Sequence, residues 1–490
     1  MTPQITHFSV DARKPDAKGF WWPIIGLVVV TFLLLLAHQS SLLQLAYPAM
    51  TFVIAIYFYI KYPVQFIGYI WWIFFWTPEV RRFSDFVQGG FTEVSLIMTA
   101  PLLVSAPLAF TMLRRIRYLG TRPGLPMLLI LVALAYGYIV GILNVGFAAA
   151  TFGLSSWVTP VMVGFYLAVS WRQYPEYRRC VMRTFTIGIA ACAGYAIIQY
   201  VFMPPWDALW LIGSGMTSSM GQPLPFAVRA FGPLNSVGPF ATIILAGVLS
   251  ATVAEGNRGR VFTALLGIVA LGLSFVRSAW GALIVAMLYQ MLFFDNKTRI
   301  RVVIGALIVV AATIPVFMSS NISENFQKRV DTLTDLQNDT SFSERSSFYQ
   351  TFLDTALTNV AGAGLGATGT GGKLSDDANA QDHVNFDSGL MEIPFVLGWP
   401  GTLLYVFGIS WLMIRGAMSA IRQRSDRFVI AWFSIAIAII SELIFFNQLI
   451  SSPGQLALMG MVLPIMALRY TKYQNSILEK NRIDNSQVLP

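Results

Sequence analysis

Apolar runs dominate the chain, and their lengths decide what it can fold into. A helix needs about 20 apolar residues to cross a bilayer, fewer when neighbours support it. Fourteen runs qualify, at 21–37, 43–60, 64–77, 94–113, 124–143, 152–170, 181–202, 234–254, 261–276, 278–294, 301–318, 387–414, 428–448 and 455–470. The third is short and reads as a re-entrant or tilted element. Only 12% of the residues are charged, against roughly 25% in a soluble domain. The 13 Trp, 36 Phe and 18 Tyr suit membrane interfaces. The expected fold is all-α and polytopic, with about 14 transmembrane helices, which excludes a soluble enzyme carried on an anchor. The N-terminus is polar up to Lys18, so no cleavable signal peptide is expected and the first run reads as a retained span.

The formal charge of +9 acquires meaning once it is divided by face. Alternate connections hold 25 of the 33 Lys and Arg with eight acids, a net +17. The other connections hold eight basic residues and 15 acids, a net −7, and Glu442 is left inside a span. Positive charge marks the cytoplasmic side, so both termini are expected in the cytoplasm, and the excess charge is topology rather than affinity for nucleic acid. The organisation that follows is a cytoplasmic tail at 1–20, eleven spans over 21–318 with an outer loop at 203–233, a large outer loop at 319–386, three spans over 387–470, and a cytoplasmic tail at 471–490. Cys180 and Cys192 are the only cysteines. On one helix they stand about 18 Å apart along the axis, too far for a disulfide. No zinc, redox or other metal motif is present.

The basic residues on the acidic face are informative because topology does not favour them. Arg229 lies just before a span in Arg229-Ala-Phe-Gly-Pro-Leu-Asn235, Arg277 sits between two spans with almost no loop, and Arg345 opens a candidate helix at 341–359 in the large loop. Arginine's planar fork suits phosphate, although interfacial anchoring is the ordinary reading of any one of them. The acids Asp376, Asp377, Asp382, Asp387 and Glu392 form a second group, with His383 and Asn385 among them. A carboxylate or imidazole facing arginines at a membrane mouth can serve as general base for a hydroxyl. Asp376 and Asp377 read as solvated loop, and the spacing fits no calcium-loop pattern. Gly362-Ala-Gly364-Leu-Gly366-Ala-Thr-Gly369-Thr-Gly371-Gly372 lacks the Gly-Lys-Ser/Thr ending of a phosphate-binding loop and reads as a flexible hinge. Glu442, an acid inside a span, is a functional candidate by default and is equally expected to pair with an arginine. His38 reads as interfacial.

Three blocks resemble the superfamily of O-antigen ligases and Wzy-type polysaccharide polymerases. They are Arg229-Ala-Phe-Gly-Pro-Leu-Asn235, Leu273-Ser-Phe-Val-Arg277-Ser-Ala-Trp280, and the large loop with Arg345, Gly362-Ala-Gly364-Leu-Gly366, Asp387-Ser-Gly-Leu-Met-Glu392 and Leu397-Gly398-Trp-Pro-Gly401. The resemblance covers about 229–401. At the place where ligases carry a histidine–asparagine pair stands Asp387-Ser388, which is more like polymerases.

The resemblance implies a GT-C-like, metal-independent, inverting glycosyltransferase in the bacterial inner membrane, with its active site on the periplasmic face and no cofactor. Its donor and acceptor would be oligosaccharides on undecaprenyl diphosphate, and its partners the bilayer, chain-length regulators and export proteins, with no nucleic acid. Arg229, Arg277 and Arg345 would hold the diphosphate. Asp387, His383 and Glu392 would be the catalytic group, with Asp387 ahead of His383 as base and with Asn235, Asn385 and Glu442 in support. Polymerisation of lipid-linked repeat units leads in exopolysaccharide or O-antigen synthesis. Ligation to lipid A core or protein is the first alternative and a lipid-linked oligosaccharide flippase the second. A flippase is expected to show related halves and a polar cavity along its spans, and neither pattern is evident.

Overall fold

The computed structural model describes residues 17–253, 259–305, 307, 359–372 and 388–486. Among them the chain is helical, with no strand and one isolated antiparallel bridge, Gly221 to Val228. The long helices are α1 (Ala17–Leu36), α2 (Ser40–Lys61), α3 (Pro63–Gln88), α4 (Leu125–Val145), α5 (Phe147–Val169), α6 (Tyr174–Phe202), α7 (Val237–Ala251), α8 (Gly259–Leu273), α9 (Arg277–Phe293), α10 (Gly389–Arg422), α11 (Arg427–Glu442) and α12 (Ser451–Ser486). Eight segments are long and apolar enough to cross a membrane by length and composition, one of them the broken stretch Leu96–Arg114. There Pro101 and Pro107 start separate short helices, Ala100–Ser105 and Pro107–Arg114, because proline has no N–H for the preceding turn. α7, α8 and α9 are apolar but shorter.

Hydrogen bonds between turns divide them into two groups, one at each end of the bundle. At one end Arg115 and Arg469 donate to the last carbonyls of α5, at Val169 (3.0 Å) and Ala168 (3.2 Å). Arg415 reaches Arg122 and Pro123, Arg427 pairs with Asp295, and Arg178 with Asp426. Cations there satisfy helix C-termini, where carbonyls lack partners. At the other end lie the turns around 89–95, 203–236, 274–276, 359–372 and 443–450. The axis of the bundle is α11 with α12, whose residues 455–463 are buried on every side. A helix apolar all round belongs in such a place.

The run read as short, 64–77, is part of a 26-residue helix. α3 continues through Glu79, Arg82 and Asp85, all buried, so the polar residues that end the apolar run do not end the helix. Cys180 and Cys192 lie on α6 as free thiols.

The glycine run is not a hinge. Residues 360–366 form an irregular segment packed between α4, α5 and a break in α10 at Gly398, whose φ is +59°. Pro400 has no N–H to offer Val396, and Gly364 N–H takes that carbonyl at 2.9 Å. Ala363 N–H donates to Phe395 O (2.8 Å), and Trp399 N–H donates to Val360 O (3.0 Å). Leu365, fully buried, donates to Gly137 O on α4. Tyr136 and Asn144 close the other edge through Ala361 O and Ala363 O. Broken backbone within an apolar bundle persists only where each polar group finds a partner, and this segment supplies them. Its glycines are required on two counts. Gly362, Gly364 and Gly366 all have φ between +83° and +94°, and a Cβ on Gly364 would lie 2.2 Å from Gly141 N.

Candidate functional site

The first two sequence blocks dock against each other. α8 ends at Leu273, and residues 274–276 turn the chain into α9, whose first residue is Arg277. Carbonyls at such an end need partners from outside the helix. Trp280 Nε1 donates to Leu271 O (3.0 Å) and Ala230 N–H to Leu273 O (2.9 Å). The Arg229 guanidinium, half-buried, takes two more, Nε to Ser274 O (3.0 Å) and Nη2 to Phe275 O (3.1 Å), while Nη1 holds Ser219 O of its own loop (3.1 Å). Phe275 holds φ +52°, a strained position for a side chain of that size, and Arg229 grips its carbonyl. Arg229 therefore fastens the 203–236 loop to the turn that presents Arg277. Arg277, half-buried, stands at the N-terminus of a 17-residue helix, where the helix dipole favours an anion.

Behind this pair lies a buried charge cluster that the sequence reading passed over. Arg82 has no exposed surface. Its guanidinium lies between the rings of Trp210 and Phe231, 5.4 and 4.9 Å from their centroids. It bonds Asp207 Oδ1, Gly232 O and Leu234 O, with Glu79 Oε2 at 3.1 Å. Gln199 Oε1 accepts from Phe231 N–H (3.0 Å) and Gly232 N–H (2.9 Å), and its amide donates to Asp207 Oδ2 (2.8 Å). Tyr195 OH lies 2.6 Å from Glu79 Oε1 and 2.8 Å from Asp207 Oδ2 while accepting from Trp206 Nε1. A signal existed: Glu79 and Arg82 are spaced i, i+3, and charges continuing an apolar helix are candidates for function or for pairing. The apolar count simply stopped at Thr77.

The remaining described candidates lie apart from this pair or in other roles. Asn235 precedes α7; its amide nitrogen contacts Met98 Sδ, and its Oδ1 is buried without a partner. Glu392, in the first turn of α10, is buried and accepts from Thr368 Oγ1 at 2.8 Å, tying the end of the glycine segment to the helix. Glu442, 1% exposed, pairs with no arginine among the described residues. Its Oε2 accepts from Thr242 Oγ1 (3.0 Å) and Gln448 Nε2 (3.2 Å), and Oε1 has no partner. It faces into the bundle toward α7. Just beyond it, Leu443 O accepts from Gly389 N–H, which sets the start of α10 beside the end of α11. Arg345, Asp376, Asp377, Asp382, His383, Asn385, Asp387 and the candidate helix 341–359 lie outside the described residues.

The apolar helices and the arrangement of their ends define a multi-pass membrane protein. Residues 262–406, under a third of the chain, match the family model Wzy_C, described as O-antigen ligase. That match is consistent with the O-antigen ligase and Wzy-type superfamily that the motifs resemble. It contains the 273–280 block, the glycine segment, Asp387 and Glu392, while the Arg229 block and Glu442 lie on either side. A search of curated proteins finds no significant match.

Proposed function

We propose that this protein is a membrane-embedded glycosyltransferase that polymerises undecaprenyl-diphosphate-linked repeat units at the periplasmic face of the inner membrane. The finer architecture belongs to the same proposal: about fourteen spans, cytoplasmic termini and a GT-C-like arrangement. In the reaction the acceptor hydroxyl oxygen attacks the anomeric carbon of the donor sugar from the face opposite the leaving group. The bond from that carbon to the diphosphate oxygen breaks, the configuration inverts, and the hydroxyl proton passes to Asp387, or to His383 if Asp387 is not the base. Negative charge grows on the departing diphosphate, and arginines aimed at that charge lower the barrier. Arg277 is the leading candidate, and Arg229 and Arg345 are the other two. Arg229 also holds the turn. Glu392, Asn235, Asn385 and Glu442 support the surrounding backbone and sugars.

The observation that carries this reading is the docking of the two motif blocks, which sets an arginine on a helix N-terminus at the acid-rich end of the bundle. Ligation shares the donor and the chemistry and differs only in the acceptor, and the description of the matched family favours it as the second reading. The test is transfer from purified lipid-linked repeat units by Arg277→Ala and Asp387→Asn protein at equal membrane levels. Each is expected to lose about 10²–10³-fold in rate, the scale of a lost oxyanion donor. Wild-type rates in both would overturn the assignment. In a deletion strain, accumulated single repeat units indicate polymerase and long unattached polymer indicates ligase.

A further inference from the structure

We infer that Arg82 and Gln199 are positioning residues that set the Arg229–Asn235 segment, and through it the turn carrying Arg277. The segment's backbone offers few hydrogen bonds of its own, because Pro233 has no N–H and Gly232 sits at φ +57°. Two side chains from different helices read it directly. From α3, the fully buried Arg82 uses both terminal nitrogens: Nη2 donates to Gly232 O (3.1 Å) and Leu234 O, while Nη1 donates to Gly232 O (3.1 Å) and Asp207 Oδ1, a spread of acceptors that suits a planar fork. From α6, Gln199 accepts from two consecutive N–H groups, Phe231 and Gly232, and returns its amide to Gly232 O (3.2 Å). Asp207 joins the two readers by accepting from both.

From this clamp a continuous series of bonds runs outward. Gly232 and Phe231 are fixed by Gln199, Ala230 N–H reaches Leu273 O, and Arg229 reaches Ser274 O and Phe275 O. The next residues are Val276 and Arg277. Neither Arg82 nor Gln199 has exposed surface, so neither touches a substrate; they act through the segment. An arginine, a glutamine and an aspartate buried together are a costly way merely to fill space, since desolvation is offset only when the geometry is good. Here the geometry converges on one stretch of backbone.

Two arms test this, and only the second rests on the proposed transfer reaction. In the first, hydrogen exchange is followed on protein in nanodiscs. Wild-type amides at 229–232 and 234 are expected to be protected, since each donates to a partner named here or to Met220 O or Phe231 O. Gln199→Met, close in size, is expected to raise exchange across 229–236 at least 10-fold while α11 and α12 keep their protection. Arg82→Lys keeps the charge opposite Glu79 and Asp207 but has one shorter-reaching nitrogen where Arg82 uses two, one on Asp207 and one on the Gly232 and Leu234 carbonyls, and is expected to do the same. Unchanged exchange at 229–236 in both variants overturns the inference, as does loss of protection spread evenly over the whole protein. In the second arm, both variants are expected to lower kcat for glycan transfer about 10-fold or more while KM for the acceptor stays within 2-fold. A proportionate rise in acceptor KM with unchanged kcat overturns it. Raised exchange in variants of a wild-type protein that transfers no glycan would leave the positioning intact and remove the proposed function instead.

Discussion

Tyr195 carries one hydroxyl hydrogen, accepts a bond from Trp206, and lies within hydrogen-bond distance of two carboxylates. With both acids ionised, one of those short contacts would be two lone pairs facing each other. The hydrogen count closes when one carboxyl carries a proton, and Glu79 suits that role because Asp207 is already engaged by Arg82, Gln199 and Tyr195. Glu79→Gln is therefore expected to change stability by less than about 1 kcal/mol, as a substitution that keeps a hydrogen-bonding amide in place. Asp207→Asn strips the buried Arg82 of its closest anion and is expected to cost about 3–5 kcal/mol. Thermal unfolding in detergent distinguishes the two, and equal losses would refute the proton assignment. At this scale the sequence disclosed Arg229 and Arg277, because cations on an acidic face stand out. It concealed Arg82, because a charge following an apolar run looks like loop. Only the partners, more than a hundred residues away at 207 and 232, make it core. Arg229 itself has a double character. Lysine in its place would keep the charge and lose most of the three-carbonyl grip, so Arg229→Lys is expected to destabilise the protein by about 2 kcal/mol, again read by thermal unfolding.

Helix boundaries and helix breaks belong to the next scale. Apolar length located nearly every long helix to within several residues, since a lipid- or core-facing run announces itself without context. It stopped α10 and α12 short of Arg422 and Ser486. It also underestimated α3 and missed the early start of α6 at Tyr174. In both, the helix extends through polar residues that find partners: Glu79 and Arg82 in α3, and Tyr174 and Arg178 on Asp426 in α6. The glycine segment was visible as composition but not as purpose. A run of glycines permits positive φ, which suits a hinge and a close-packed insert equally well. The choice was made by Gly137, Gly141 and Gly153 on α4 and α5, small residues that leave the groove the segment fills. Gly364→Ala forces a Cβ at φ +90° to within 2.2 Å of Gly141 N, and is expected to destabilise by about 3 kcal/mol or more. Gly194→Ala, on α6 with nothing within 4 Å of the added Cβ, is expected to be neutral or stabilising by about 0.5–1 kcal/mol. If Gly364→Ala unfolds at the wild-type temperature, the segment is a hinge after all.

Over the whole molecule, charge and contact describe one division independently. The alternation of basic and acidic connections rests on the proposed span count, and the hydrogen bonds between the described turns need no count. Both group 122, 168–169, 178, 295 and 426 at one end, and 82, 207, 232 and 274–275 at the other. α7, α8 and α9 are short for a full crossing, yet they link the two ends. Arg229 holds the turn after α8 beside the loop that precedes α7, and Asp295, just past α9, is paired with Arg427 at the opposite end. Short helices can do this where the surrounding protein, rather than lipid, meets their termini. The assignment of ends to sides of the membrane is open to direct labelling. Gly90 and Gly120 are exposed, one in each group of turns, and a side chain at Gly90 meets nothing within 4 Å while one at Gly120 meets only Arg117 O at 3.7 Å. Gly90→Cys is expected to react with a membrane-impermeant maleimide added to spheroplasts, and Gly120→Cys only after lysis. Protein with the native Cys180 and Cys192 alone supplies the background, and Cys192 is fully buried. The reverse pattern would turn the molecule over, carrying Arg229 and Arg277 to the cytoplasmic side. A periplasmic lipid-linked donor would then be out of their reach, so this labelling decides whether the proposed chemistry is sterically available at all.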